Sequence, residues 1–271
     1  MTTADAAWRH AREHWLIPYG GTLLLIGLGV LALLYLVKGP LGSARNDGPR
    51  AIERFTRFER AAHWTNAIAF CLLAASGLAM AFGPGLLPLP DMIIDALKGL
   101  HSLAGPLFAV SLPLVLIIFL NDNVASRGDL RWLARGGAML GGQQLPSHRF
   151  NPAEKIMFWW GMFFPGLISV GSGLALDGWI PELDDLRLAM PVVHLIHLAA
   201  TLVMMAALAG HIYMGTLGVR GAYRAMRGGW VDEAWAREHH RLWHDEVVAG
   251  HIPARRSGAG PAAERVDDRA P

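Results

Sequence analysis

An apolar run near the C-terminal end of the sequence carries two histidines, His197 and His211, that lie fourteen residues apart. The run extends from His194 to Gly218, which is long enough to cross a bilayer as an α-helix. On an α-helix this spacing corresponds to about 21 Å along the axis and about 40° around it. The helix would therefore present one imidazole near each membrane face, on roughly the same side. Because polar side chains are costly inside a membrane, we interpret both histidines as candidate functional residues.

Four further apolar runs precede this one, and 53% of the chain is hydrophobic whereas 17% is charged. Each run has about the 20 residues that a membrane-spanning helix requires. We therefore predict an all-α integral membrane protein, with a four-helix bundle and one additional N-terminal transmembrane helix. The five predicted spans are at about residues 20–37, 63–82, 100–120, 156–176 and 191–217.

We divide the chain into an N-terminal extension (1–50), the bundle (51–220) and a cytoplasmic tail (221–271). The polar and aromatic residues 1–18 predict a short interfacial helix before the first span. The composition of the tail predicts disorder after about residue 253. The single cysteine lies in an apolar run, so the chain cannot build a disulfide framework or a cysteine-ligated metal cluster by itself.

The distribution of charge predicts how the chain is oriented in the membrane. Segments 38–60, 121–154 and the stretch after 218 are rich in arginine, whereas loops 83–98 and 177–190 are acidic or neutral. By the positive-inside rule the basic segments lie in the cytoplasm. With five spans, this puts the N-terminus outside the membrane and the C-terminus inside. The net charge of +2 is too small to indicate nucleic-acid binding.

Four of the histidines in the predicted spans form two pairs by depth. His63 begins the second span and His211 lies near the end of the fifth, both at the cytoplasmic face. His101 begins the third span and His197 lies near the start of the fifth, both at the outer face. Two histidines at each of two depths predict bis-imidazole ligation of two b-type haems. Neutral imidazole binds iron, and an apolar bundle can shield the macrocycle.

His194 competes with His197 for the outer position. It lies seventeen residues before His211, which is about 100° around the helix, against about 40° for His197. If two haems stack on one face of the bundle, His197 is the ligand and His194 is its neighbour, near a propionate or the membrane interface. The alternative for all these histidines is that they are isolated polar residues between packed helices, and their pairing in depth disfavours it.

Three stretches carry recognisable motifs: residues 57–64 (RFERAAHW) continuing to 76–78 (SGL), residues 150–155 (FNPAEK), and residues 221–243. The first resembles the first haem helix of the cytochrome b (gamma) subunit of membrane-bound formate dehydrogenase. The wider group of that subunit includes the cytochrome b of nickel–iron hydrogenases. The second stretch is similar to the family's quinone-site segment. The third is the most specific and favours formate dehydrogenase over hydrogenase.

The resemblance implies a set of site residues, each carried over by its position in the motifs. The implied haem ligands are His63, His101, His197 and His211. Near the inner haem, Asn151 is implied to donate a hydrogen bond to a quinone carbonyl, with Ala153 contributing backbone and Lys155 or His211 nearby. The chain departs from the family in having Ala153-Glu154 where Gly-Gln is common, and in its additional first span.

Three arginines near the predicted inner face are candidates to pair with haem propionates through charge-assisted hydrogen bonds. They are Arg57, Arg60 and Arg149. The alternative is that these residues only follow the positive-inside rule.

The resemblance implies an electron-transfer subunit that carries a quinone-reduction site but no catalytic residue for formate oxidation. The implied cofactors are two b haems with bis-histidine ligation, with menaquinone or ubiquinone as electron acceptor. The implied partners are an iron–sulfur (beta) subunit and a molybdenum- or tungsten-dependent catalytic (alpha) subunit, assembled as a multimer of the three-subunit unit. Such a complex belongs to the respiratory chain in the lipid of the bacterial inner membrane.

Three other functions are set against this expectation. One is the cytochrome b of a quinone-reducing nickel–iron hydrogenase or a related oxidoreductase, which would use the same chemistry with another partner. Another is a haem-free membrane anchor for a peripheral enzyme. The third is a histidine-lined transporter or metal channel, which is disfavoured because the interiors of the predicted spans lack Asp and Glu.

Overall fold

The structure, a computed structural model, describes residues 3–42, 48–86, 89–135, 145–180 and 189–258. Within these residues, five helices are long and apolar enough to cross a membrane. We number them spans 1 to 5: Ala6–Lys38, Arg57–Gly83, Asp91–Phe119, Pro152–Leu176 and Met190–Gly218. The predicted all-α class with five membrane-spanning helices is confirmed. Most of the predicted acidic loop, residues 181–188, lies outside the described residues.

The spans are built from consecutive helical elements. Span 1 comprises α1 (Thr3–Ala11), a π-helical turn (Arg12–Leu16) and α2 (Ile17–Lys38). Spans 2 and 3 correspond to α3 (Arg57–Leu86) and α4 (Asp91–Phe119). A 3-10 turn (Asn121–Asn123) and helix α5 (Arg127–Ala134) follow. Span 4 comprises α6 (Pro152–Ile156), a π-helical segment (Met157–Phe163) and α7 (Phe164–Leu176). Span 5 comprises α8 (Met190–Tyr213) and a π-helical turn (Met214–Gly218).

Short elements complete the described chain. They are the strands β1 (Arg50–Glu53) and β2 (Trp230–Asp232) and the helices α9 (Ala222–Gly228), α10 (Glu233–His239) and α11 (Arg241–Val248).

Span 1 is longer than predicted, because the expected interfacial helix at 1–18 continues directly into the membrane-spanning helix. Pro18 near the start of α2 has no backbone N–H to donate and would strain a regular α-helix. The π-helical turn Arg12–Leu16 comes just before it and widens the helix there. The proline is thus accommodated without a break, and the polar residues of α1 become the first turns of the span.

Spans 2 and 3 pack side by side as one helical hairpin, spans 4 and 5 as a second, and the two hairpins form the bundle. Span 3 supplies much of the buried core, with Phe108, Leu112, Val115 and Leu116 among its buried side chains. Gly166 lets span 4 approach closely, since a Cβ there would lie 2.8 Å from Leu112 Cδ2. Many other large apolar side chains face outward, as expected for helices surrounded by lipid.

Span 1 lies on the outside of this bundle and has no buried side chain in its most apolar window. It contacts the bundle through a pair of glycines. A Cβ at Gly20 would lie 2.5 Å from Leu202 Cδ1, and a Cβ at Gly21 would lie 2.6 Å from Phe82 Cε1. Small residues of this kind let helix backbones approach one another in membranes. Span 1 is therefore positioned against spans 5 and 2.

A polar cap closes one end of the bundle, and we define it as residues 48–56, 145–151 and 219–257. Strands β1 and β2 pair antiparallel within it, with Ile52 opposite Val231. The chain also stays bound beyond residue 253, where disorder was predicted. The Ser257 hydroxyl donates to Glu53 at 2.6 Å, and the Glu53 N–H donates to the Ala254 carbonyl at 2.7 Å.

Buried charges where the cap meets span 2 are balanced by a cluster of ion pairs. The Glu59 carboxylate lies 2.9 Å from Arg149 and 2.8 Å from Arg256. Arg149 also pairs with Asp122 and donates to the backbone carbonyl of Arg54 at 2.7 Å. Burial lowers the pKa of Arg149, whereas the charges of Asp122 and Glu59 act in the opposite direction. These two carboxylates compensate the buried guanidinium.

The cluster changes the interpretation of the three arginines proposed from the sequence to bind propionates. Arg149 is nearly fully buried and already paired with two carboxylates, so that prediction is wrong for Arg149. Arg60 donates to the backbone carbonyl of Arg227 at 2.6 Å. Arg57 is exposed at the start of span 2.

We predict that Glu59→Gln destabilises the protein by about 3–5 kcal/mol, because it leaves the buried Arg149 without its one buried carboxylate partner among the described residues. The measurement is the midpoint of thermal denaturation of the purified protein in detergent. The control is Lys98→Gln, which breaks an exposed ion pair with Asp95 and should cost no more than about 1 kcal/mol. Equal stability of the two variants would contradict the role of Glu59 as a stabilising partner of Arg149.

Candidate functional site

The histidines of the two predicted pairs face each other within the bundle. His63 in span 2 and His211 in span 5 lie at the end closed by the polar cap, with ring centroids 6.1 Å apart. His101 in span 3 and His197 in span 5 lie further from the cap, with ring centroids 6.4 Å apart. We call these the cap-end pair and the far-end pair.

Both separations suit one metal ion held between two imidazoles. With metal–nitrogen bonds of about 2 Å, such an ion would separate the two ring centroids by about 6 Å. No group of three or more His, Cys, Asp or Glu side chains that could hold a metal was found among the described residues. Two protein ligands therefore suit a metal that brings its remaining ligands with it, as haem iron does in its porphyrin.

Two serines fix the protonation of the far-end rings. Ser76 Oγ lies 2.8 Å from His101 Nδ1 and donates its own proton to the Leu72 carbonyl at 2.7 Å. Since a hydroxyl has one proton, His101 Nδ1 must be the donor to Ser76. Ser172 repeats the arrangement, with its Oγ 3.0 Å from His197 Nδ1 and donating to the Ile168 carbonyl at 2.6 Å. His197 Nδ1 also donates to the Ser169 carbonyl at 3.1 Å. Both rings therefore keep the Nε2 lone pair free to bind a metal.

A cavity of about 440 Å³ opens beside the far-end pair. A glycine follows each serine and leaves room for the adjacent ring. A Cβ at Gly77 would lie 3.4 Å from His101 Cε1, and a Cβ at Gly173 would lie 3.2 Å from His197 Cε1. Most of the lining is apolar, as a buried macrocycle requires. The far end thus combines space, apolar walls and two imidazoles with a free nitrogen.

The cap-end pair has a different environment. His63 Nδ1 is buried and has no hydrogen-bond partner among the described residues. The Trp64 ring packs edge-on against His63 at 5.2 Å. The His63 imidazole is therefore positioned by ring packing, whereas the far-end imidazoles are positioned by hydrogen bonds.

His194, the alternative outer histidine, points elsewhere. Its ring packs edge-on against Trp8 of span 1, with ring centroids 5.5 Å apart and an interplanar angle of 86°. The structure therefore places His197, and not His194, opposite His101. His194 still lines the far-end cavity from one side.

The residues predicted to contact quinone lie at the start of span 4. Asn151 caps α6, because its Oδ1 accepts the Glu154 N–H at 3.0 Å and Glu154 accepts the Asn151 N–H at 2.7 Å. This leaves the side-chain nitrogen of Asn151 outside the cap and available as a donor. Ala153 is exposed. Lys155 is buried and pairs with Asp129 at 2.9 Å, so its charge is already compensated.

Glu154, a departure from the family pattern, connects the polar cap with the cap-end pair. Its carboxylate pairs with Arg54 at 3.0 Å and lies within electrostatic reach of His211. It also interacts with His240 in the cap. Burial, and then the charge of Arg54, lowers the pKa of His240 to about 3. His240 is therefore neutral near pH 7 and donates from Nδ1 to the His148 carbonyl at 2.8 Å.

The serines that contact the far-end histidines were not predicted as site residues from the sequence. A signal was available, because Ser76-Gly77 precedes His101 at the same distance as Ser172-Gly173 precedes His197. The serine in each case lies 25 residues before the histidine. This repeated spacing places one Ser-Gly step against one imidazole in each hairpin.

Known proteins are similar to this chain over most of its length. The sequence model of the family described as prokaryotic cytochrome b561 matches residues 54–229. The cytochrome b556(fdo) subunit of formate dehydrogenase from Escherichia coli K12 is 30% identical over 201 residues, covering 72% of this chain and 93% of that protein. The nitrate-inducible cytochrome b556(Fdn) subunit from the same strain is 31% identical over 208 residues, covering 73% and 92%.

A cytochrome b556 subunit of formate dehydrogenase from Haemophilus influenzae is also similar, at 25% identity over 204 residues, covering 71% of this chain and 82% of that protein. The resemblance noted from the motifs is thereby confirmed. The family implies binding of haem b, which agrees with the paired imidazoles and the far-end cavity. The chain belongs to the prokaryotic cytochrome b561 family.

Proposed function

We propose that this chain is the membrane-anchoring dihaem cytochrome b subunit of a formate dehydrogenase complex. It would receive electrons from an iron–sulfur subunit, which is reduced in turn by a molybdenum- or tungsten-dependent catalytic subunit, and pass them to quinone. The similarity to three formate dehydrogenase cytochrome subunits supports the choice of complex. Those proteins are named as subunits of formate dehydrogenase, which supports other subunits as partners, and the resemblance of the motifs suggests the iron–sulfur and catalytic subunits.

One observation carries the proposal: span 5 contributes one histidine to each of two facing pairs. His197 and His211 are separated by about 21 Å along the axis of an α-helix. Two b haems at these positions would supply one-electron carriers at two depths of the membrane. The protein's own contribution is to hold four imidazoles in place, and at the far end to direct each Nε2 toward the cavity through Ser76 and Ser172.

The polar cap supports a single orientation of the chain. Its three segments contain most of the Arg and Lys residues that the structure describes after the first span, and hydrogen bonds join them. For example, the Leu242 N–H donates to the Ser147 carbonyl at 3.0 Å, and the Ser257 hydroxyl donates to Glu53 at 2.6 Å. By the positive-inside rule this common end faces the cytoplasm. The far-end pair then lies toward the periplasm, where electrons would enter, and the N-terminus lies outside.

The quinone site is proposed beside the cap-end pair. The side-chain nitrogen of Asn151 would donate a hydrogen bond to a quinone carbonyl, and the exposed Ala153 backbone would flank it. Glu154 lies within electrostatic reach of His211 and, paired with Arg54, would keep a negative charge near the site. Lys155 contributes through its ion pair with Asp129, which anchors α6 to α5.

We predict that His211→Ala removes one haem and abolishes quinone reduction, while the far-end haem stays reducible by formate in the purified complex. The reason is that His211 is the only span 5 imidazole facing His63 among the described residues. The measurements are the ratio of haem to protein and the reduced-minus-oxidised absorption spectrum.

The matched control for this variant is His194→Ala, which should keep both haems because His194 contacts Trp8. Loss of a haem in His194→Ala with both kept in His211→Ala would show that the ligand assignment is wrong. If the unaltered complex shows no b-type absorption bands, the chain is a haem-free anchor and the proposed function fails.

We predict that Asn151→Asp weakens binding of a quinone-analogue inhibitor at least tenfold, because it removes the amide donor. The aspartate can still accept the Glu154 N–H, so the helix cap and the haem content should be kept. The measurement is inhibitor affinity by fluorescence quenching, with haem content determined in the same preparation. Asn151→Ala, which loses donor and cap together, should weaken binding as well. Unchanged affinity in both variants would exclude Asn151 from the site.

A further inference from the structure

The N-terminal end of span 1 reaches the far-end cavity, although the family match begins only at residue 54. Arg12 in the π-helical turn is one of the residues that line this cavity. We propose that Arg12 binds a carboxylate of the group held by the far-end pair, namely a haem propionate. This rests on the proposed function and assigns the extension a part in the haem site.

The charge balance of the cavity supports this assignment. Arg12 is the only Arg or Lys among the described residues that line the cavity. No ion pair joins Arg12 to a carboxylate of the described chain. The acidic residue of the lining, Asp177, instead accepts hydrogen bonds from Ser102 at 2.8 Å and Trp179 at 3.1 Å. Arg12 is partly buried, and its guanidinium is the cationic partner that this mostly apolar lining offers to a carboxylate.

Two buried nitrogens beside Arg12 also have no partner. Trp8 precedes Arg12 by four residues and so shares its helix face, and its ring packs against His194. Neither Trp8 Nε1 nor His194 Nδ1 makes a hydrogen bond within the described residues. Buried polar groups of this kind are rarely left unsatisfied in folded proteins. His194 lines the cavity together with Arg12, so a propionate bound by Arg12 would give His194 Nδ1 an acceptor.

The N-terminal segment is held firmly enough to act as part of the site. Gly20 and Gly21 allow close contact with Leu202 and Phe82 of the bundle. The edge-on packing of Trp8 on His194 holds the turn that carries Arg12. A guanidinium placed in this way can bind a carboxylate through two parallel hydrogen bonds.

The test is a potentiometric titration of the far-end haem in the purified full complex. Arg12→Gln should shift the midpoint potential of that haem to a more negative value, because a nearby cation stabilises the reduced form, which carries one more negative charge. The midpoint of the cap-end haem should stay the same. Arg12→Lys keeps the positive charge, so the midpoint of the far-end haem should stay close to that of the unaltered complex. Arg12→Met provides a second neutral variant that keeps an apolar stem.

The matched control is Arg9→Gln, which removes a positive charge one turn away but outside the cavity lining. It should leave both midpoints unchanged. An unchanged far-end midpoint in both neutral Arg12 variants would overturn the inference, and so would an equal shift in Arg9→Gln. Absence of haem from the unaltered complex would refute the proposed function instead, so the two failures are distinguishable.

Discussion

A polar side chain inside an apolar helix needs a partner from another helix, and such partners connect the four spans of this bundle. The two histidines of span 5 face histidines from spans 2 and 3. Within the first hairpin, the Ser111 hydroxyl donates to the Asn66 amide oxygen at 3.1 Å. Since the membrane interior offers no water to satisfy such groups, these contacts fix how the helices sit against one another. The bundle geometry and the candidate site therefore have the same physical origin.

The same need for a partner holds for the buried charged side chains of the polar cap. Glu59 begins the first hairpin, Arg149 precedes the second, and Arg256 comes from the end of the described chain, and all three meet in one buried cluster. Breaking such a cluster is costly because each remaining charge is left uncompensated. The cap therefore ties the two hairpins together at the end where the quinone site is proposed. Glu154 extends this network from Arg54 toward His211.

The sequence predicted the features that depend on local composition. Span length and apolar content gave five helices, and the depth of four histidines gave the pairs that the structure brings face to face. Features that depend on distant contacts were missed. Arg149 looked free in the sequence because its partner Glu59 lies 90 residues away. The role of Arg12 was hidden because polar residues before an apolar run are usually interfacial, and only the packing of span 1 places Arg12 at the cavity.

The two Ser-Gly steps of the far-end cavity have a consequence for how a flat ligand would be seated there. Each hairpin contributes one wall, and each wall presents a serine-bonded imidazole above a glycine. The two sides of the cavity would thus offer a flat ligand nearly the same chemistry, so His101 and His197 by themselves would not select one of its two orientations. The charged residues that line the cavity differ from one side to the other, with Arg12 in span 1 and Asp177 just after span 4. The residues at the edge of the ligand would therefore select its orientation, and Arg12 of the added N-terminal helix would be one of them.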